Sequence, residues 1–309
     1  MRVEQELAGI APQRETLLSI GVFDGVHAGH RYLLERLRLQ AAEKSLLSAV
    51  VTFDPHPQSV LHPHSQIPWL SDVEDRARSL QELGIDLVAV LTFTLEVAHL
   101  SAREFMSFVK KYLRMRGIMV GPDFALGRGR EGSIDLLRAL GLELEFSVET
   151  IPPYTIDGEV VSSTLIRRAL AEGDTRRAHR LIGRHFSIQG RVITSDKRGR
   201  VLGFPTANLE IKPQQAVPGN GIYATITRID GKQFASATSI GTRPTFGGGN
   251  KTVETYLLNY EGDLYGREMR VEFVERLRDE QRFLSPDALK AQIEKDVREV
   301  QAILATDSK

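Results

Sequence analysis

The hydrophobic pattern of the chain changes near residue 184. Before that point, short apolar runs alternate with longer amphipathic stretches. Such alternation is typical of strands and helices in turn, and strands that are apolar throughout favour a parallel sheet covered on both faces. The predicted strands are residues 17–22, 48–53, 86–91, 117–120 and 142–148. We therefore expect residues 1–183 to form an α/β domain.

Short β-rich runs separated by Gly, Pro and Asn follow from residue 184 onward. This pattern of short β-rich runs and turn residues predicts a compact β-barrel. Residues 285–304 begin with Ser-Pro-Asp and carry apolar residues at helical spacing, which predicts an amphipathic helix packed on that barrel. The predicted fold class is thus an α/β domain with a parallel sheet, followed by a β-barrel domain over residues 184–309 with a C-terminal helix.

Helix starts in the first domain are marked by capping signals. Ser71 with Glu74, and Ser101 with Glu104, have the capping-box spacing. Residues 162–171 and 174–182 are predicted to form two short helices, which we expect to close the first domain.

Composition excludes several classes of function. The 40 Lys+Arg balance 40 Asp+Glu, so no global basic field exists to gather nucleic acid or anionic membrane. The absence of cysteine excludes disulfides, thiolate nucleophiles and cysteine-based metal sites. No apolar run approaches the roughly 18 residues of a membrane span. We expect a cytoplasmic protein that binds small molecules, with no nucleic-acid, membrane or obligate protein partner.

Residues 21–30, here called the glycine–histidine loop, lie between a predicted strand and a predicted helix. The loop contains Gly21, Asp24, Gly25, His27, Gly29 and His30. Amides at a helix start favour phosphate, glycines allow it to approach the backbone, and imidazoles can donate to phosphoryl oxygens. The loop therefore predicts phosphate binding at the carboxyl end of a parallel strand. The alternative is that the glycines only form turns and the histidines have no ligand.

Residues 162–168 repeat this chemistry at another helix start. Ser162, Ser163 and Thr164 can cap the helix, and Arg167, about one turn later, can reach an anion at its N-terminus. The alternative is an ordinary capped helix with a solvated arginine.

Residues 199–209, GRVLGFPTANL, contain the second candidate constellation. If the segment is extended, Thr206 and Asn208 point to one face, where two neutral oxygens suit a magnesium ion that is already held by ATP phosphates. Gly199 and Gly203 would let phosphate approach the backbone. The alternative for this segment is a simple turn.

Three histidines in residues 54–64 raise the question of a metal site. Asp54, His56, His62 and His64 are suitable ligand types. However, the prolines favour an extended loop and the spacing matches no zinc template, so nucleotide contact is the preferred interpretation for His56.

Taken together, the motifs resemble those of the prokaryotic bifunctional riboflavin kinase and FAD synthetase family. The first domain contains GVFDGVHAGH, TFDPHP, GPDFALGRGREG and VSSTLIRRAL, and the second contains GRVLGFPTANL, PGNGIYA, IGTRPTFGGG, TVETYLLNYEGDLYG and VEFVERLRDEQRF. The resemblance implies that the chain phosphorylates riboflavin with ATP to FMN and then adenylylates FMN with ATP to FAD and pyrophosphate, with magnesium.

For the first domain, the resemblance implies a nucleotidylyltransferase site. His27 and His30 would stabilise the ATP triphosphate as charge develops, and Ser163, Thr164 and Arg167 would hold its phosphates. The remaining residues expected to bind ATP or the FMN phosphate are Gly21, Phe23, Asp24, Gly25, Gly29, His56 and Asp123.

For the second domain, the resemblance makes Glu254 the base that takes the proton from the terminal ribityl hydroxyl. Gly199 and Gly203 would bind ATP, and Thr206 and Asn208 would bind its magnesium. Arg278 is expected to contact the flavin. The alternatives are a solvent-facing strand glutamate and a charged helix face that contains Arg278.

Two rival functions remain at the level of sequence. In one, only a single domain is active and the other senses flavin or nucleotide. In the other, the whole chain is a flavin-binding regulator without catalysis.

Overall fold

The computed structural model describes residues 1–64, 67–194, 203–243 and 250–307. The chain divides into two compact units, Met1–Ser163 and Thr164–Lys309, here called the first unit and the barrel unit. The helical residues after Ser163 therefore belong to the barrel unit. The domain boundary between residues 183 and 184 stays a prediction.

The first unit is built on a parallel sheet. Its strands are β1 (Thr16–Ile20), β2 (Leu47–Asp54), β3 (Leu87–Thr92), β4 (Met115–Val120) and β5 (Ser147–Thr150). Their order is β3-β2-β1-β4-β5, with every neighbouring pair parallel. The chain therefore winds from β1 through β2 to β3, and then crosses to the other side of β1. The predicted parallel sheet is confirmed.

Helices cover both faces of this sheet. They are α1 (Arg2–Gly9), α2 (Ala28–Glu43), α3 (Pro57–Leu61), α4 (Val73–Glu82), α5 (Leu95–Ala98), α6 (Ala102–Leu113) and α7 (Ile134–Leu144). Leu18 belongs to the core that includes α1 and α6, whereas Leu17 belongs to the core that includes α2 and α4. Successive strand residues face opposite sides, so β1 is buried on both. A hairpin, β6 (Thr155–Ile156) and β7 (Glu159–Val160), follows β5.

Two local predictions for the first unit are wrong. Residues 142–148 alternate apolar and polar side chains like a strand, but α7 continues to Leu144 and β5 begins at Ser147. Leu137, Leu140 and Leu144 pack at helical spacing, and Leu142 faces solvent. The start of α4 also differs: its N-cap is Asp72, because the Ser71 hydroxyl accepts from the Gly25 amide instead. The capping box at Ser101 is confirmed.

The barrel unit contains a closed antiparallel barrel. Its elements are α8 (Ser163–Ala171, which begins at the last residue of the first unit), α9 (Thr175–Ile182), β8 (Phe186–Ile193), β9 (Ala207–Leu209), β10 (Gly221–Ile229), β11 (Lys232–Arg243), β12 (Asn250–Leu257), β13 (Glu268–Arg278) and α10 (Pro286–Asp307). The order around the barrel is β10-β11-β12-β9-β8-β13. The predicted barrel, helix pair and C-terminal helix are all present.

The barrel interior combines aromatic rings with a chain of hydroxyl groups. Tyr223 and Phe273 are fully buried. Hydrogen bonds of 2.7–3.0 Å link the buried hydroxyls of Thr225, Thr227, Ser236, Thr238 and Thr255. Because Thr255 faces inward, its chain neighbour Glu254 faces outward. The helix α10 packs on this outer surface through Val300 and Leu304.

Candidate active sites

The first unit brings two loops together where its strand order reverses. The residues after β1 and those after β4 lie at the carboxyl ends of neighbouring parallel strands. Open α/β sheets bind ligands at such a point. Residues 19–23 and 120–124 line a cavity of about 290 Å³ there, together with both loop histidines. We call it the histidine cavity.

Two imidazoles stand side by side at the start of α2. The rings of His27 and His30 stack with centroids 3.6 Å apart and planes 17° apart. His27 is the N-cap of α2, and its Nδ1 accepts from the His30 amide at 3.3 Å. This bond places the proton of a neutral His27 ring on Nε2. The pair therefore lies where a helix N-terminus attracts an anion.

His30 is held in its neutral form. Burial, and then the neighbouring His27 and Arg76, hold the pKa of His30 well below its usual 6.5. Its Nδ1 is buried and has no hydrogen-bond partner in the part of the chain that the structure describes. A buried polar atom of this kind calls for a partner, and a phosphoryl oxygen is a suitable one when Nδ1 carries the proton.

Glycine is required at two positions of the glycine–histidine loop. Gly25 has a φ of +78°, which favours glycine, and a Cβ there would lie 3.0 Å from the Leu70 side chain. A Cβ on Gly29 would lie 3.2 Å from the His27 ring and 3.3 Å from the Val161 carbonyl oxygen. The loop is therefore packed tightly against its surroundings.

Phe23 and Gly21 contribute to the same cavity. Both line it, and the Phe23 ring meets the His30 ring edge-on at a centroid distance of 5.1 Å. The predicted contacts of Gly21, Phe23, Gly25 and Gly29 with ATP stay predictions.

The Asp24 carboxylate is occupied by the protein backbone. It accepts from the amides of Leu70 at 2.9 Å and Ser71 at 3.0 Å, and the residue is only 2% exposed. The Asp24 carbonyl accepts from the Ser163 hydroxyl at 3.1 Å. In this structure Asp24 anchors the loop, and its predicted contact with phosphate remains a prediction.

A second, larger cavity adjoins the histidine cavity. It measures about 630 Å³ and shares Gly21, Val22, Asp123 and Phe124 with it. Its lining includes the rings of Phe53, Phe93, Phe105 and Phe124, so we call it the aromatic cavity. His56 also lines it and caps α3, with its Nδ1 3.1 Å from the Gln58 amide. The predicted residues His56 and Asp123 are thus placed at this pair of cavities.

Thr164 and Arg167 lie in the first turns of α8, directly after Ser163. Thr164 is exposed and Arg167 is half-buried. Their predicted role in holding phosphate stays a prediction.

One row of residues crosses the outer surface of the barrel. The strand register pairs Arg278 with Ile222, Ile222 with Ser239, Ser239 with Glu254, and Glu254 with Asn208. Directly paired residues of neighbouring strands share a face. The register therefore puts Asn208 and Glu254, two residues that are distant in sequence, side by side.

A third cavity of about 640 Å³, here called the barrel cavity, opens beside β9. Thr206 and Ala207 line it together with residues 260–265. Gly203 is exposed with a φ of +84°, a conformation that favours glycine. Gly199 lies outside the described residues, so its predicted role is not addressed by the structure.

Comparison with known proteins also divides the chain into two parts. The model of the FAD synthetase family matches residues 10–165, and the model of the riboflavin kinase family matches residues 182–304. The bifunctional riboflavin kinase/FMN adenylyltransferase of Escherichia coli (strain K12) is 39% identical over 288 residues, which cover 93% of this chain and 92% of that protein. This chain belongs to the bifunctional riboflavin kinase/FMN adenylyltransferase family.

Further relatives of this bifunctional family extend over nearly the whole chain. The protein of the same name from Pseudomonas fluorescens is 40% identical over 308 residues, which are 99% of this chain and 98% of that one. A crystal structure described as a macrolide-efflux protein from Streptococcus pneumoniae has the same fold, with a TM-score of 0.89 at 27% identity over 97% of each chain. Within the described residues, no helix is both long and apolar enough to cross a bilayer.

Arg278 forms an ion pair with the buried Asp296. Its Nη2 lies 2.7 Å and its Nε 3.0 Å from the Asp296 carboxylate of α10, and its Nη1 donates to the Asp279 carbonyl at 2.9 Å. The guanidinium is therefore bound by protein on every nitrogen. Its predicted contact with flavin stays a prediction.

The metal alternative around His56 has no structural support. Across residues 1–64, 67–194, 203–243 and 250–307, no three His, Cys, Asp or Glu residues form a group that could hold a metal ion.

Sequence reasoning missed three residues near these sites. Arg76 lies on α4 one turn before the buried Leu80, and Asp296 lies on the apolar face of α10 one turn before the buried Val300. A charged residue at an apolar helix position was the available signal in both cases. Ser239 had no such signal, because only the barrel register places it beside Glu254.

Proposed function

We propose that this chain phosphorylates riboflavin with ATP to give FMN, and then adenylylates FMN with a second ATP to give FAD and pyrophosphate. The observation that carries the proposal is that each compact unit brings together polar side chains suited to phosphate chemistry. The first unit has the stacked His27–His30 pair at a helix N-terminus, and the barrel unit has the Glu254–Asn208 pair. The two matching family models support the same division.

Adenylyl transfer takes place in the histidine cavity. A phosphate oxygen of FMN attacks the α-phosphorus of ATP, and the bond to the β-phosphate oxygen breaks to release pyrophosphate. The amides at the start of α2 and the ring N–H groups of His27 and His30 stabilise the negative charge that develops on the phosphate oxygens. Because the rings are stacked and His27 is buried, little reorganisation is needed during the reaction.

The aromatic cavity suits the flavin ring of FMN. It adjoins the histidine cavity through Gly21, Val22, Asp123 and Phe124, and it is large enough for a ligand of this class. Its phenylalanine rings offer stacking and apolar contact, and His56 at its edge supplies a polar group.

Phosphorylation of riboflavin takes place on the outer row of the barrel. Glu254 accepts the proton of the terminal ribityl hydroxyl as that oxygen attacks the γ-phosphorus, and ADP leaves. The adjoining barrel cavity, lined by Thr206 and residues 260–265, receives ATP. Glu254 is half-buried, which shields its carboxylate in part from water.

Thr206 and Asn208 fit magnesium bound to ATP. Magnesium prefers oxygen ligands and commonly takes only one or two from the protein, and these residues offer a hydroxyl and an amide oxygen. Asn208 is 7% exposed beside Glu254, so its oxygen is partly desolvated before ligand arrives. When bound, the ion neutralises the triphosphate and orients its oxygens.

We further propose that the enzyme works in the cytoplasm on small molecules alone, without a nucleic-acid, membrane or obligate protein partner. The balanced charge and the lack of cysteine support this assignment.

The test is chromatographic separation of flavins after incubation of purified protein with ATP and magnesium. One reaction starts from riboflavin and the other from FMN. We expect FMN followed by FAD in the first reaction, and FAD in the second.

The other outcomes identify the assignment that fails. If the reaction from riboflavin stops at FMN and supplied FMN is left unchanged, the assignment of adenylyl transfer to the first unit is wrong. If supplied FMN is converted to FAD but riboflavin does not react, the assignment of kinase activity to the barrel unit is wrong. Tight flavin binding without any turnover supports a regulator instead.

A further inference from the structure

Residues 70–76, which include the start of α4, form hydrogen bonds with the glycine–histidine loop and with the end of β2, which border the two cavities of the first unit. On one side, the amides of Leu70 and Ser71 bind the Asp24 carboxylate, and the Gly25 amide donates to the Ser71 hydroxyl at 2.9 Å. These three bonds hold the glycine–histidine loop, which lines the histidine cavity. The other side of the segment is formed by Arg76.

Arg76 lies behind the aromatic cavity and is joined to it only through Phe53. The residue is 4% exposed, and its Nη2 donates to the Phe53 carbonyl at 2.8 Å. Phe53 is near the end of β2, and its ring lines the aromatic cavity. One hydrogen bond therefore connects α4 to the backbone that carries this ring.

The guanidinium of Arg76 is only partly satisfied by hydrogen bonds. Its Nε is buried and has no partner among the residues that the structure describes. Burial lowers the pKa of Arg76, while the carboxylates of Asp24, Asp54 and Asp72 raise it, and an arginine of this kind stays charged. Burying a charge is unfavourable, and an apolar side chain would satisfy packing at this position. Packing alone therefore does not explain a charged side chain at Arg76.

We propose that Arg76 is a positioning residue for adenylyl transfer, which holds Phe53 and the end of β2 at a fixed place relative to the His27–His30 pair. The inference rests on the adenylyl transfer proposed above. Arg76 touches neither ATP nor FMN in this account. It acts through Phe53, and the Asp24 anchor at the other side of the same segment fixes the loop that carries the histidines.

The charge of Arg76 also acts on His30. Other titratable groups lie near Arg76 and His30. His27 stacks on His30, and the carboxylates of Asp24, Asp54 and Asp72 interact with Arg76. Since a nearby positive charge disfavours the protonated imidazole, removal of the guanidinium raises the pKa of His30. His30 then becomes protonated at a higher pH than in the unaltered protein.

The test compares Arg76→Met with Arg76→Lys in the full chain. The matched control is Arg78→Met on the same helix, because the Arg78 side chain is 55% exposed and forms a surface ion pair with its neighbour Asp75. Three quantities are measured: KM for FMN in FAD formation, the rate of FMN formation from riboflavin, and the His30 titration by imidazole NMR, assigned with His30→Gln.

We expect Arg76→Met to raise KM for FMN by about tenfold or more, because small displacements of a bound reactant have large effects. The His30 titration should move to higher pH, and FMN formation should be unchanged. Arg76→Lys keeps the charge but has a shorter reach, so it should restore the titration and leave KM raised. Arg78→Met should leave all three quantities unchanged.

Folded Arg76→Met with a wild-type KM for FMN would overturn the inference, whatever its His30 titration. If Arg76→Met does not fold, Arg76→Lys decides: a raised KM supports the inference, and a wild-type KM overturns it. Failure of the unaltered protein to convert FMN would reject the proposed function instead, and the NMR titration would still show whether Arg76 acts on His30.

Discussion

The two sites differ in what holds their residues in place. In the first unit, loops after β1 and β4 form the histidine cavity, and side-chain hydrogen bonds to other segments hold the loop after β1. Asp24 binds the amides of Leu70 and Ser71, and Thr52 donates to the Val22 carbonyl at 2.9 Å. In the barrel unit, Glu254 and Asn208 project from paired strands, whose spacing is set by main-chain hydrogen bonds.

This difference predicts two patterns of sensitivity. A loop held by side-chain hydrogen bonds moves when a distant anchor is removed, whereas a strand in a closed barrel keeps its position when one exposed side chain changes. FAD formation should therefore respond to substitutions outside its site. FMN formation should respond mainly to the reacting residues themselves. Because the two reactions can be measured separately, each unit serves as the control for the other.

The largest expected effect is that of Glu254→Gln. Glutamine keeps the shape of the side chain but cannot accept the ribityl proton, so FMN formation should fall by about 10²- to 10⁴-fold. FAD formation from supplied FMN should be retained. The measurement is the initial rate of both reactions, with Glu268→Gln on the exposed surface of β13 as control. Equal loss of both activities in folded protein would contradict the separation of the two sites.

The next effect separates two roles of His27. Asparagine can replace the N-cap hydrogen bond but not the imidazole, whereas alanine removes both. Loss of one preorganised donor should lower FAD formation by about 10²- to 10³-fold in His27→Asn and in His27→Ala. His27→Ala should in addition lose about 1 kcal/mol of stability. Denaturant titration and initial rates measure the two effects, and wild-type FAD formation by His27→Asn would exclude the imidazole from catalysis.

The sequence was sufficient where one short segment carries both the element and its chemistry. The two helices after residue 162 are an example, because capping and apolar spacing are local signals. It failed at residues 142–148, where Leu-Glu-Leu-Glu-Phe alternates like a strand. The packing of Leu144 in the core extends the helix instead.

The parts of the sites that could not be predicted depend on tertiary contacts. Asp24 was expected to bind phosphate because its loop does, but only the folded chain shows its carboxylate on the amides of Leu70 and Ser71. Ser239 comes to lie beside Glu254 through the register of β11 and β12. No spacing along the chain gives either relationship.

A third prediction concerns the Arg278–Asp296 ion pair of the barrel unit. Removal of one partner from this largely buried pair leaves an uncompensated charge that retains some contact with water, so Asp296→Leu should lower stability by about 3 kcal/mol, the low end of the range for buried pairs. In Arg278→Met/Asp296→Leu both charges are absent and most of that stability should return. The urea concentration that abolishes FMN formation reports the effect, while the concentration that abolishes FAD formation should change little.

The same double variant tests the predicted flavin contact. All three guanidinium nitrogens of Arg278 already bind Asp296 or Asp279, so we expect a KM for riboflavin close to that of the unaltered protein. A KM raised tenfold in this stable variant would show that Arg278 does contact flavin.

The smallest effect should come from Asp24→Asn, and it bears most directly on the contrast between the sites. Asparagine fits the same space, but its amide has only one oxygen and no charge, so the bonds from Leu70 and Ser71 weaken by about 1.5–3 kcal/mol in total. FAD formation should then be lost at a lower urea concentration, and FMN formation should not. Asp135→Asn, whose side chain is 94% exposed on α7, is the control. Equal shifts in both activities would mean that the loop-built site is no more dependent on side-chain hydrogen bonds than the barrel.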